Sequence, residues 1–193
     1  MSSDDKLNAK NKGFTLLELM IVLVIVAIGV ALAVPTYQDV MQRRETTAQA
    51  EDLVAFMSFA QSEAVKYNQL ISVHLTYADE KTWCIGANEG KAPCDCTVTN
   101  VAATNYCSLN GVEKIMWSTD KTKSGMISPS PDPTLVFDPV RGTMIEIDLG
   151  TDHKITLGSD NGKWSLQIDV EATGRMGICN PDPNKAVPGY LAC

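Results

Sequence analysis

Charge is nearly missing from one part of this chain, and basic charge is short in the rest. From Phe14 to Val34, 21 residues, there is no Lys, Arg, Asp, Asn, Gln or His, and one carboxylate, Glu18. Histidine is scarce too: His74 falls in an alternating segment and His153 in an expected turn, so they form no obvious pair for metal binding or proton transfer. No Ser or Cys stands in a recognised arrangement with a base, which leaves an enzymatic reading without a nucleophile. The chain carries 16 Lys and Arg against 23 Asp and Glu. Residues before Phe14 hold three of those Lys and two of the Asp, so a chain starting at Phe14 keeps 13 basic and 21 acidic side chains, a net −8. That balance disfavours a surface built to neutralise nucleic-acid phosphates. No cofactor is called for.

What fills the uncharged stretch is a continuous apolar run. A helix of that length reaches about 30 Å, the hydrocarbon thickness of a bilayer. A helix apolar on every side cannot be the amphipathic face of a small soluble domain. Residues 14–34 are therefore expected to span a membrane, with bilayer lipid as the first partner, and Glu18 within them needs an explanation. Lys6, Lys10 and Lys12 precede the run and favour a cytoplasmic N-terminus. An ordinary secretory signal would be shorter and followed by a small-residue cleavage site, whereas here the small residue, Gly13, comes first.

Cysteine is confined to the region beyond the run: Cys84, Cys94, Cys96, Cys107, Cys179 and Cys193. An even count beyond a membrane anchor points to an oxidising compartment and a disulfide framework. Cys94 and Cys96, separated by one residue, would bond each other only with strain. Two local pairings stay open, 84–94 with 96–107 or 84–96 with 94–107, while Cys179 and Cys193 would staple the C-terminal tail. The spacing C-x9-C-x-C-x10-C does not match paired zinc knuckles, so no metal site is expected.

Beyond Pro35, Ala50, Leu53, Val54, Met57, Ala60, Ala64 and Tyr67 recur at helical spacing, with Glu45, Gln49, Asp52, Ser62, Glu63 and Lys66 largely elsewhere on the wheel. The helix is expected to continue over 35–68, kinked at Pro35, which lacks a backbone N–H; two helices broken there is the alternative. Alternating segments at 71–77, 81–86, 112–118, 134–138, 143–148, 154–158 and 163–170 read as short strands, with Ser159-Asp160-Asn161-Gly162 as a hairpin turn. Residues 87–111 read as an irregular loop, 128–133 as an extended connector and 180–193 as an extended tail. The fold class is α+β: a long helix on antiparallel sheet, with residues 69–193 as one domain.

Gly13, then Phe-Thr-Leu-Leu-Glu, then the apolar run resembles the N-terminus of type IV prepilins and of type II secretion pseudopilins. The resemblance implies a leader at 1–13, cleavage between Gly13 and Phe14 by a prepilin peptidase of the bacterial inner membrane, and methylation of the Phe14 amine. Glu18 becomes intelligible in this setting, because a carboxylate in a bilayer costs about 2.5–3.5 kcal/mol or more, and a neighbouring subunit's Phe14 amine would neutralise it.

A second resemblance lies in the domain. Phe137-Asp138-Pro139-Val140-Arg141-Gly142-Thr143 looks like the F-x-P-x-G-T segment of the GspH/FimT family of minor pilins and pseudopilins. Thr173-Gly174-Arg175-Met176-Gly177-Ile178-Cys179 is similar to the Gly-Arg-x-Arg-x-Cys ending found there. The family implies a pilin-like fold and a structural subunit with a periplasmic domain, assembled with other pilins or pseudopilins. Either a type IV pilus or a type II secretion pseudopilus fits, and the cysteine-rich loop and stapled tail resemble the pilus side. Some members bind DNA during natural transformation, using basic residues around Gly-Arg-x-Arg, and a pilus-displayed DNA-binding subunit is a further alternative. Arg175 matches the first Arg of that motif, but Gly177 replaces the second, so Arg175 is a weak DNA contact and pairing with a carboxylate is the better expectation.

Overall fold

The computed structural model describes residues 13–77, 83–118, 124–130, 134–145 and 153–193, with backbone alone at 32, 33, 35, 36 and 124–130. Among the described residues one α-helix and ten strands follow in order: α1 (Leu16–Tyr67), β1 (Ile71–Tyr77), β2 (Trp83–Glu89), β3 (Ser108–Leu109), β4 (Val112–Glu113), β5 (Ile115–Trp117), β6 (Ser124–Ser130), β7 (Thr134–Phe137), β8 (His153–Ser159), β9 (Ser165–Val170) and β10 (Met176–Cys179). The chain divides into two compact units, Met1–Val40 and Met41–Cys193.

In the first unit α1 is helical through Pro35, so the helix does not end there. The Pro35 side chain lies outside the described residues, and so do leader residues 1–12.

In the second unit the rest of α1 lays one stripe on the core. Ala50, Leu53, Met57, Ala60 and Ala64, spaced by three and four, are all fully buried. The stripe is wider than its pattern suggested: Thr46 and Gln49 are buried, while Tyr67 at the helix end is 45% exposed and leaves it. Thr46 fits because its hydroxyl donates to the Gln42 carbonyl at 2.9 Å, so no polar atom is stranded. The helix ends in a Schellman motif. Asn68 takes the left-handed conformation at φ 50°, its N–H donates to Val65, and the Gln69 N–H donates to Ala64.

Two four-stranded antiparallel sheets follow, ordered β5-β2-β1-β7 and β10-β9-β8-β6. Register on the first runs from Ile71 opposite Glu89 to Tyr77 opposite Trp83, and on the other side of β1 from Ile71 opposite Phe137. Trp83, Phe137, Ile71, Ile85, Leu157, Leu166 and Ile168 join the helix stripe in one core. Each large side chain so buried contributes about 1.5–3 kcal/mol. Between β8 and β9 the turn forms as its residues suggest, with Gly162 at φ 67° and its N–H donating to Ser159.

Several expectations need correction. His153 opens β8 rather than lying in a turn. The 128–133 connector is in part strand: Ser128, Pro129 and Ser130 belong to β6, an edge strand with a register shift between Met126 and Ser128. An edge with a bulge is where a strand tolerates a residue lacking an N–H. The strand expected at 143–148 shows only a bridge from Phe137 to Met144, and 146–150 lie outside the described residues. Within the 87–111 loop, Ser108–Leu109 pairs with Val112–Glu113 through Asn110 and Gly111, both at positive φ, which makes a two-residue hairpin. The tail is not simply extended. It has a 3-10 turn at Pro183–Lys185 and bridges at Ala186 and Ala192.

Candidate assembly surface

The start of α1 is a capped helix. The Glu18 N–H donates to Thr15 Oγ1 at 3.2 Å, and the Thr15 carbonyl takes the Leu19 N–H at 3.2 Å. Thr15 is thus the N-cap and Glu18 the third helical residue, the Thr-x-x-Glu spacing of a capping box. A carboxylate there also faces the positive end of the helix dipole, worth about 0.3–1 kcal/mol. The Thr-x-x-Glu spacing of this cap is legible in the sequence.

Around that cap the surface is apolar and bare. Phe14 and Leu16 are 79% and 77% exposed, and large side chains stay exposed through Val30 on every side of the helix. Bare apolar surface of this extent marks a contact with lipid or protein. Among the described residues no helix is long and apolar enough to cross a membrane. The span therefore stands on the sequence and is taken up as a proposal below.

The two domain segments singled out by resemblance meet in space. Asp138 caps its own turn, accepting the Val140 N–H at 2.6 Å and the Arg141 N–H at 3.2 Å. Gln61 of α1 reaches both turns, its amide Nε2 donating to the Gly142 carbonyl at 2.6 Å and to the Gly174 carbonyl at 3.1 Å. Gly142 and Gly174 sit at φ 65° and 82°, conformations glycine adopts without strain. The Met144 N–H donates to Ala172, tying the strand edge beside them. Nothing in a lone helical Gln announces this contact in the sequence.

Arg175, next to Gly174, is 79% exposed in its side chain, and its Nε lies 3.8 Å from Glu171 Oε1. It meets a carboxylate, and Gly177 opens onto free space.

Three disulfides close the cysteines: Cys84–Cys96, Cys94–Cys107 and Cys179–Cys193. The first two cross within the β2–β3 region, and their four cysteines form a small buried cluster with Ile115 against it. Gly86 makes room for them, because a Cβ there would run into Cys107 Sγ. Between Cys94 and Cys96, Asp95 accepts from Thr97 Oγ1 at 2.6 Å and from the Thr97 N–H at 2.9 Å. The Thr97 hydroxyl first, then that N–H, hold the Asp95 carboxyl below the ordinary range. Asp169 lies beside Cys179 and Cys193, but both sulfurs are spent in a disulfide and offer no thiolate to a metal.

An exposed apolar helix leading into a disulfide-stapled, sheet-backed domain defines a pilin-like structural subunit. The chain belongs to the family described as type II transport protein GspH, which matches residues 49–174. The prokaryotic N-terminal methylation motif matches residues 8–34. A fimbrial protein of Pseudomonas aeruginosa is 39% identical over 61 residues, 32% of this chain and 40% of that protein, so this match spans well under half the relative's length. The fimbrial protein EcpC of Eikenella corrodens is 28% identical over 92% of this chain and 94% of its own. The crystal structure of the type IV minor pilin FimU from Pseudomonas aeruginosa is similar with a TM-score of 0.49 at 18% identity, covering 77% of this chain and 96% of that one. Pilin and pseudopilin families are structural subunits rather than enzymes, which assemble with other pilins or pseudopilins in the cell envelope.

Proposed function

We propose that this chain is a minor pilin of a type IV pilus, acting in the initiation of its assembly. In this reading prepilin peptidase cuts between Gly13 and Phe14, and the new Phe14 amine is methylated. Residues 14–34 hold the subunit in the inner membrane, with the N-terminus cytoplasmic and the domain periplasmic, until it enters the filament. The observation that carries the reading is the exposed apolar start of α1 with Glu18 as its one carboxylate. Cleavage would place an ammonium group four residues before Glu18, and a neighbouring subunit's amine would neutralise that carboxylate. Pro35 would bend the helix as it leaves the bilayer.

Changing Gly13 to a bulky residue tests this. The chain should keep its leader, and a mature mass that still begins at Phe14 would sink the processing step. A second reading, a pseudopilin of a type II secretion pseudopilus, draws on the family's own description. Deleting the gene separates them: loss of surface pili supports the first, loss of exoprotein secretion with pili intact the second.

A further inference from the structure

A groove of about 340 Å³ runs between the α1 face carrying residues 43–51 and the C-terminal tail at Val187–Tyr190. The tail wall is apolar at Val187 and Pro188. The helix wall carries Arg43 and Arg44 beside Ala48. Arg43 is half-buried with its guanidinium 6.0 Å from the centre of the Trp164 ring, while Arg44 is exposed. Among the described residues neither guanidinium has a carboxylate within ion-pair distance. The acid lining the groove, Glu51, is already engaged, accepting from the Tyr190 hydroxyl at 2.8 Å.

We propose that this groove receives a carboxylate side chain of a neighbouring pilin-family subunit, a proposal that rests on the filament-subunit reading above. Charge complementarity selects the occupant. Two guanidiniums against one occupied carboxylate make a locally positive site on a chain of net −7. An Arg fork matches a carboxylate in two parallel hydrogen bonds. The surrounding negative field opposes an extended polyanion such as nucleic acid, whereas a single acid on a protein loop meets only the local pair. The apolar wall gives that loop a surface to lie on, and the volume sits near the lower end of the roughly 300–1,000 Å³ typical of binding clefts.

The test uses the full-length chain in cells carrying its own filament machinery, with a benzophenone amino acid replacing exposed Ala48. Irradiation should give a cross-linked peptide from another pilin-family subunit containing Asp or Glu. Arg43→Glu with Arg44→Glu should lower its yield at least tenfold, and Arg43→Lys with Arg44→Lys should retain part of it. Formation of the Cys179–Cys193 bridge, checked by non-reducing mapping, shows that each variant has folded around the groove. A cross-linked peptide without an acid, a cross-link to lipid, an unchanged yield on charge reversal, or no cross-link overturns the proposal. Co-purification of pilins with the unmodified chain is scored separately. If pilins co-purify and the groove outcomes fail, only the groove assignment falls; if none co-purify, the filament reading falls with it.

Discussion

The carbonyl of Gly142 and the carbonyl of Gly174, 32 positions apart in the chain, accept from the same side-chain amide, Gln61 Nε2, at 2.6 and 3.1 Å. The helix thereby fastens two turns that would otherwise be joined only at the strand edge. A Cβ at Gly174 would collide with the Gly142 carbonyl, a backbone atom that cannot swing aside, and would sit at φ 82°. At Gly142 a Cβ would find ordinary contacts near 3.5 Å from Gln61 and Val65. Gly174→Ala should therefore cost about 3 kcal/mol or more, through strain and overpacking together. Gly142→Ala should cost about 1–2 kcal/mol, the left-handed penalty alone. Gln61→Ala should cost about 1–3 kcal/mol through its two orphaned acceptors. Urea denaturation of the purified variants ranks them, and equal losses at the two glycines would refute the clamp.

Gly86 is fixed by chemistry rather than by backbone conformation. Its missing side chain leaves the space that Cys107 Sγ and Cys94 Sγ occupy. Gly86→Ala should impair closure of Cys94–Cys107, leaving free thiols detectable by alkylation. Gly177→Ala, which meets open space, serves as the control. Full oxidation of both variants with equal thermal stability would show that the cluster has room to spare.

The sequence made long-period features legible and hid those that depend on distant partners. The stripe from Ala50 to Ala64 is visible because five apolar positions recur at spacings of three and four. The Asn110-Gly111 hairpin was equally plain in composition, yet the cysteines around it suggested an irregular loop. Ser128-Pro129-Ser130 looked like a connector because proline argues against a central strand; only the sheet order places β6 at an edge. The joining of the 137–143 and 173–179 segments could not be read at all, since Gln61 is one polar residue on a polar-looking turn of helix. Likewise, spacing left the two local cysteine pairings open, and β2 packing against the loop decides for 84–96 with 94–107.

Acid should loosen the cysteine loop through Asp95. Its folded-state carboxyl titrates below the ordinary range because the Thr97 hydroxyl and N–H bind the charged form, with His74 adding attraction. Between the folded and unfolded values the unfolded chain binds more protons, so stability rises with pH there. The contribution is present above the unfolded value near 3.8 and is lost as pH falls through the folded one. Asp95 is largely solvated, so the effect is small. In Asp95→Asn, thermal melts between about pH 2 and 5 should show a shallower loss than the parent chain. An identical slope would mean that Thr97 does not favour the ionised form.

The C-terminal tail is held twice, and the two restraints can be separated. Cys179–Cys193 closes a loop with a sequence separation of 14, worth about 3 kcal/mol when the unfolded chain is unconstrained. Inside that loop the buried Asn180 side chain donates to the Val187 carbonyl at 3.1 Å and the Tyr190 carbonyl at 2.7 Å, and accepts the Val187 N–H at 2.8 Å. Cys179→Ser with Cys193→Ser should lower global stability yet leave the Val187 amide protected from hydrogen exchange, because Asn180 still holds it. Asn180→Ala should do the reverse locally: the disulfide persists, but Val187 exchanges faster by at least tenfold and Tyr190 loses its place beside Glu51. The alanine leaves the Tyr190 carbonyl and the Val187 N–H without a partner, each costing about 1–3 kcal/mol where water cannot replace it, while the Val187 carbonyl still accepts the Tyr190 N–H. If the double serine variant exposes Val187 as fully as Asn180→Ala does, the disulfide alone organises the tail and the asparagine is a passenger.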